Sequence, residues 1–240
     1  MKTTKIRQIR KNMILLLTLL VMSIQTTWAQ ALEKKDLTED CDFVAGTISF
    51  TLPEGNSNCT WKVGGKEINE GITNDKRALT LEMSQKTDTV EVAYTDANQT
   101  RQALSFEVEP KVYGEEYNGV NNTKVKFYSE EDFKGHGTKE DPYIISTDLE
   151  LAKLAHDVTN GNETQVLSGT YFKLSEDIDL SKGIWMPIGT WNTTTQHFFA
   201  GKFNGDGHAI RNMLIQWTNV NGKEASWGLF SRLNGKGNNE

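Results

Sequence analysis

Asp177 and Asp179 come nearest in this chain to a spacing that could do chemistry. Residues two apart point to the same side of an extended strand, so the pair could cleave a glycosidic bond or hold calcium through carboxylate oxygens. The competing reading is structural, with both carboxylates capping turns or facing water, and it is preferred here. Asn204-Gly205-Asp206-Gly207 resembles an ion loop in composition. Two glycines around an Asx residue are also the ordinary means of reaching positive φ at a tight corner, so the segment is read as a turn. His136, His156, His197 and His208 are scattered, and the chain has no H-E-x-x-H, G-x-S-x-G or phosphate-binding loop. Trp185, Trp191, Phe198 and Phe199 could stack on sugar rings from an outer flank, but they could equally fill an interior, which is the preferred reading. No catalytic, cofactor-binding or metal-ligating residue is assigned, and the chain is read as non-enzymatic and without a cofactor.

The N-terminus has the order of a secretory leader. Lys2, Lys5, Arg7, Arg10 and Lys11 precede the apolar run Met13 to Ile24, and Ala29 and Ala31 follow as small residues suited to a signal peptidase. Such a run rises only about 18 Å as a helix, short of the roughly 30 Å hydrocarbon core of a bilayer. Residues 1–31 are therefore expected to be removed, leaving no membrane-inserted segment and a location outside the cell or on the outer face of its envelope. Five of the 26 basic residues and none of the 32 acidic ones lie in the leader, so the formal net charge of −6 becomes −11 without it. Phosphate affinity depends on Lys and Arg displacing counterions, so nucleic acid is not an expected partner. The two cysteines, Cys41 and Cys59, are too few for a zinc site among non-clustered histidines. In an oxidising compartment they could pair, stabilising by roughly 3 kcal/mol in the chain-entropy model, and two buried free thiols are the alternative.

Residues 36–112 are read as one module, within which apolar residues alternate with polar ones from Cys41 to Glu109. Ile48, Phe50 and Leu52 share one parity, as do Trp61 and Val63; Leu79, Leu81 and Met83; Val90, Val92 and Tyr94; and Leu104, Phe106 and Val108. A period of two means strands with one buried face, and turn-formers such as Pro53-Glu54-Gly55-Asn56 and Gly64-Gly65 separate them. The expectation is a small antiparallel β-sandwich with Trp61 in its core. Its strand rhythm and Trp61 within Cys59-Thr60-Trp61-Lys62-Val63 resemble immunoglobulin-like or PKD-like modules. Both cysteines precede the tryptophan, however, where an immunoglobulin domain has them on either side.

After a connector at residues 113–132 the pattern changes. Gly135-His136-Gly137-Thr138 opens a turn that enters Pro142-Tyr143-Ile144-Ile145, and Thr147 with Glu150 forms a capping box. A helix is expected over 147–158, with Leu151, Leu154, Ala155 and Val158 on one stripe and Asn160-Gly161 at its end. Short strand-like segments and glycine-bearing corners follow: Tyr171-Phe172-Lys173-Leu174, Asp177-Ile178-Asp179-Leu180, Trp185-Met186-Pro187-Ile188-Gly189, Phe199 to Ile210, Asn212 to Ile215 and Gly228-Leu229-Phe230. One such unit cannot bury its own apolar side, whereas stacked units can.

In the order G-x-G-T-x-x-D-P-Y-x-I, L-x-x-D-I-D-L, W-x-P-I-G, F-x-G-x-F-N-G-D-G-H-x-I and G-L-F, these pieces resemble the start of GLUG-motif β-helices. Such β-helices occur in bacterial surface proteins and in the non-catalytic region of some immunoglobulin A peptidases. The resemblance covers about residues 133–240 and implies a right-handed parallel β-helix whose open end is shielded by the 147–158 helix. Because about three coils are normally needed for stability, the β-helix is expected to be truncated at residue 240. The resemblance implies a mainly β, secreted or surface-displayed adhesin-like protein that binds host glycan, matrix or another surface protein. The alternative is the N-terminal fragment of a β-helical polysaccharide-degrading enzyme with its active rungs beyond residue 240.

Overall fold

The structure, a computed structural model, describes residues 31–119, 123–161, 165–191, 196–215 and 228–231. All but the last residue of the expected leader lies outside them. The described residues are mainly β. In chain order, the first unit contains β1 (Thr38–Asp42), β2 (Thr47–Thr51), β3 (Ser57–Val63), β4 (Lys66–Glu67), β5 (Ala78–Glu82), β6 (Asp88–Thr95) and β7 (Arg101–Val108). They form two antiparallel sheets, in the order β1-β2-β5 and β4-β3-β6-β7. The parity read from the sequence holds: Phe50, Trp61, Leu79, Val90, Val92 and Tyr94 are essentially inaccessible and share one core between the sheets. Trp61 also satisfies its indole N–H, which donates to the Lys76 carbonyl at 2.9 Å.

The anticipated disulfide is not made; Cys41 and Cys59 are free thiols. Cys59 lies on β3 inside the shared core, whereas Cys41, on the other sheet, is half-buried where the two cores of the molecule meet. Burial pushes the Cys41 thiol up to about 11 and also raises that of Cys59. Little thiolate is therefore present at neutral pH.

The second unit opens with a hairpin, β8 (Glu116–Asn118) and β9 (Lys124–Lys126), and continues with β10 (Tyr143–Ile145) and helix α1 (Asp148–Thr159). Seven short strands follow among the described residues: β11 (Gln165–Val166), β12 (Tyr171–Leu174), β13 (Ile178–Asp179), β14 (Thr190–Trp191), β15 (Gln196–Phe199), β16 (Lys202–Asn204) and β17 (Ile210–Arg211). Their pairing is mostly parallel. Tyr143 lies beside Phe172 and Phe172 beside Phe203, Ile178 beside Ile210, and Gln165 beside Phe198, so the chain returns to the same sheet after about thirty residues each time. Parallel bridges also join Val112 to Ile184 and Ile188 to Phe230. The exception is β14, which pairs antiparallel with β15.

Matched registers stack like on like. Phe133, Tyr143, Phe172, Phe199 and Phe230 form an aromatic file with successive ring centroids 5.1–5.9 Å apart. Phe203 meets Phe230 edge-on at 5.5 Å. Such pairs each contribute about 0.5–1.5 kcal/mol beyond the area they bury.

Helix α1 covers this core with Leu151, Ala152, Leu154, Ala155 and Val158. Both halves of the expected capping box are present: Thr147 Oγ1 accepts from the Glu150 N–H, and Glu150 Oε2 accepts from the Thr147 N–H, each at 3.1 Å. At the other end Asn160 closes the helix by donating both its backbone N–H and its side-chain amide to the His156 carbonyl. The opening turn needs its glycines. Gly135 has φ +97, and a Cβ there would sit 2.2 Å from the Pro142 carbonyl oxygen.

Residues 113–132, expected as a connector, are instead part of this packing. Tyr113 and Phe127 are fully buried and stack at 4.1 Å, and Tyr128 stacks on the His156 ring at 4.0 Å. Tyr113, Tyr117, Phe127 and Tyr128, four aromatic side chains in twenty residues, carry too much apolar surface to remain in water, and all four pack into the core that α1 covers.

The two units meet in a polar and aromatic seam. Phe43, in the β1–β2 turn, stacks on Phe127 at 4.3 Å and so belongs to the second core. The Gln85 side-chain amide donates to the carbonyls of Leu180, Gly183 and Asn212 at 2.7–3.0 Å. With two N–H groups for three acceptors, at least one hydrogen is shared. Lys182 Nζ donates to the Val44 carbonyl at 3.4 Å, and the Ile184 N–H donates to the Lys111 carbonyl at 2.9 Å.

Two adjacent positions test the packing. Phe172 is 1% exposed and points inward, while Lys173 points outward. Phe172→Ala should cost about 3–5 kcal/mol in urea unfolding. Lys173→Ala, which loses only an exposed ion pair, should cost less than about 1 kcal/mol. In the native protein, alkylation of both thiols should be slow at neutral pH and complete only after unfolding; a chain 2 Da lighter without reduction would contradict the free thiols.

Candidate functional site

The outer face of the β10, β12 and β16 sheet brings aromatic, cationic and amide side chains together. Along β12 the order Tyr171-Phe172-Lys173-Leu174 sends Phe172 and Leu174 into the core and leaves Tyr171 and Lys173 outside. One strand further on, Lys202 lies beside Tyr171 and Asn204 beside Lys173. Strands in a sheet are about 4.8 Å apart, so these four side chains form a two-by-two array. Lys139, Glu140 and Pro142, from the turn before β10, rim the array and enclose an open trough of about 510 Å³. Lys173 pairs with Asp206 at 2.8 Å, which holds the Asp206 carboxyl below its ordinary value. Lys139 and Lys202 make no ion pair among the described residues.

The aspartates singled out in the sequence are fasteners between neighbouring strands. Asp177 Oδ1 accepts from the Ala209 N–H at 2.8 Å and its Oδ2 from Arg211 Nη1 at 2.5 Å. Asp179 Oδ1 accepts from the Ser181 N–H at 2.8 Å and from the Asn212 amide at 3.0 Å. Both carboxylates thus tie β13 or its following turn to β17 or its end, and neither is left unpaired for an incoming group. The Ala209 N–H and the Arg211 guanidinium hold Asp177 below the ordinary carboxylate range; the Asn212 amide and the Ser181 N–H do the same for Asp179.

The corner at Asn204–Gly207 is a turn, with the Asp206 N–H donating to Asn204 Oδ1 at 2.9 Å. Its left-handed positions are Asp206, at φ +46, and Gly207, at φ +84, so one of the two glycines is used in this way.

The histidines lie apart; two bond backbone carbonyls and two lie against aspartates. A ring nitrogen of His156 bonds the Gly114 carbonyl at 2.9 Å and one of His197 bonds the Thr159 carbonyl at 2.6 Å; His136 pairs with Asp141, and His208 lies 3.6 Å from Asp177. No group of three or more His, Cys, Asp or Glu side chains suited to a metal ion occurs among the described residues. Trp185 and Phe199 are buried in the core, as the packing reading expects. Phe198 is half-buried, and the side chain of Trp191 lies outside the described residues.

Sequence reasoning recorded Tyr171-Phe172-Lys173-Leu174 as a strand but missed the trough. The available signal was the repeat of the same alternation in Lys202-Phe203-Asn204, which places polar residues on the same outer side once the registers match.

No protein-family profile matches the chain, and no solved structure matches it significantly. Two relatives resemble part of it. Over 125 residues, 48% of this chain and 1% of the relative, it is 34% identical to a protein named halomucin from Haloquadratum walsbyi. Over 93 residues, 36% of this chain and 9% of the relative, it is 32% identical to a putative Gly-rich membrane protein from Evansella cellulosilytica. The chain therefore spans less than a tenth of either relative's length.

The fasteners make a pH prediction. Both aspartates have folded values below the ordinary 3.8, so the stability they give is present above about pH 4 and is lost as pH falls through those lower values. The thermal midpoint should drop on acidification from about pH 5 to about pH 2.5. Asp177→Asn with Asp179→Asn should lower the midpoint at neutral pH and flatten that acid limb; an unchanged limb would show that these carboxylates do not couple the strands.

Proposed function

We propose that this chain is a secreted or cell-surface interaction protein whose second unit is the start of a right-handed parallel β-helix of the GLUG type. In this reading the first unit is an immunoglobulin-like or PKD-like module packed against the side of the β-helix, and the described residues do no catalysis. The observation that carries the proposal is the repeated parallel register, Tyr143 to Phe172 to Phe203 on one sheet and Ile178 to Ile210 on another, around one apolar file. Parallel strands joined by crossovers wind right-handed in about 98% of cases, which supports the handedness. The shielding of one end by α1 fits a β-helix cap, since uncovered strand edges are templates for aggregation.

Interaction follows from what such an architecture leaves outside. The inward residues are consumed in packing and the aspartates in fastening, which leaves the outward residues of the parallel strands, Tyr171 and Lys173 beside Lys202 and Asn204, as the surface open to a partner. The basic and apolar order of residues 1–31 supports export. A relative named as a membrane protein and one named halomucin lend the same reading some support.

The test is binding by residues 32–240 to an array of glycans and extracellular-matrix proteins, with protease shaving of intact producing cells alongside. Specific binding to at least one array member and release of peptides from whole cells are expected. Absence of any binding, or protection from protease until the cells are lysed, would overturn the proposal.

A further inference from the structure

We infer that the trough over β10, β12 and β16 binds an acidic polysaccharide, a linear glycan bearing carboxylate or sulfate groups, through Lys139, Lys173, Lys202, Tyr171 and Asn204. The inference rests on the interaction reading above and gives it a site and a ligand class. Charge complementarity carries it first. The chain has 32 acidic and 26 basic residues, yet this one hollow gathers three ammonium groups against Glu140 on its rim. Asp206 answers Lys173, which leaves Lys139 and Lys202 available to an anion arriving from solvent.

Arrangement carries it further. Tyr171 beside Lys202 and Lys173 beside Asn204 place unlike groups one strand spacing apart, so that one ring, two cations and one amide share the trough. A linear acidic sugar polymer presents partners for each of them: ring faces, anionic groups and hydroxyls. The tyrosine offers an apolar face with a polar tip, and the Asn204 amide can both donate to and accept from hydroxyls. Lysine suits such a ligand because its ammonium is a compact point charge on a flexible stem and does not demand one anion geometry.

A second hollow, over the outer face of β3, β6 and β7, has Lys62 and Arg101 but no aromatic residue, and Arg101 already donates to the Asn58 carbonyl at 2.6 Å. It serves as the internal control. A nucleic acid shares the anionic charge but would bring its continuous phosphate backbone against the acidic remainder of the surface.

The experiment measures binding of the chain without its leader to polygalacturonate, heparin, neutral dextran and double-stranded DNA by isothermal calorimetry at low and high salt. Binding to polygalacturonate or heparin that weakens with salt, with none to dextran or DNA, is expected. Lys139→Gln with Lys202→Gln should weaken it on the order of tenfold, because two exposed charges are lost. Lys62→Gln with Lys66→Gln changes net charge equally and should leave it unaltered. Tyr171→Phe should retain most of the affinity and Tyr171→Ala lose it, with thermal midpoints confirming that each variant folds. Equal weakening by both lysine pairs, or comparable binding of DNA, would reduce the effect to unspecific attraction of polyanions and overturn the site. Binding only to neutral glycans or matrix proteins would overturn the acidic ligand while sparing the interaction reading. Binding to nothing on any panel would remove both.

Discussion

The second unit depends on one constraint: strands of two to four residues bury nothing by themselves. Each of β10, β12 and β16 contributes only one or two inward side chains, and an isolated strand of that length has neither enough apolar area nor enough hydrogen bonds to offset the backbone entropy it loses. Matching the registers removes the difficulty. Tyr143, Phe172 and Phe203 come into line, Ile145 meets Leu174, and the inaccessible residues of neighbouring segments become one file that α1, Tyr113 and Phe127 close. Packing of this kind is cooperative, since each segment supplies the surface on which its neighbour is buried.

The polar groups answer to the same geometry. Asp177 and Asp179 look like a functional pair in sequence because they share a strand face, and that shared face is also what lets both reach the neighbouring strand and its turn. Gln85 and Lys182 extend the principle to the seam, where side chains of one unit satisfy carbonyls of the other. The surface left over is the set of outward residues on parallel strands. Unlike groups lie side by side there, Tyr171 next to Lys202 and Lys173 next to Asn204.

Much of this was legible in the sequence. Period-two alternation located five of the seven strands of the first unit, all but β1 and β4, and placed Trp61 and Tyr94 inside, because a half-buried antiparallel strand imposes that period directly. The Thr147 and Glu150 pair fixed the start of α1 because a capping box is local chemistry. What was not legible depends on contacts far apart in the chain. The buried roles of Tyr113, Phe127 and Phe43 come from the meeting of two units, which no local period encodes. The separate placement of Cys41 and Cys59 depends on which strand joins which sheet. The trough needs the register between β12 and β16, and Lys202 is thirty-one positions from Tyr171, so its partner appears only when the strands are side by side.

The account stands or falls on that register, and an engineered cross-link measures it directly. Neighbouring strands lie about 4.8 Å apart, within the 4.4–6.8 Å between Cα atoms that a disulfide spans. Lys173→Cys with Asn204→Cys should therefore close a bridge under mild oxidation, mapped by peptide mass in the Cys41→Ser, Cys59→Ser background. Tyr171→Cys with Asn204→Cys, on the same outer side but two residues out of step, should remain reduced. Bridging of the out-of-step pair in preference to the matched one, or of neither, would mean that these strands do not stack in parallel.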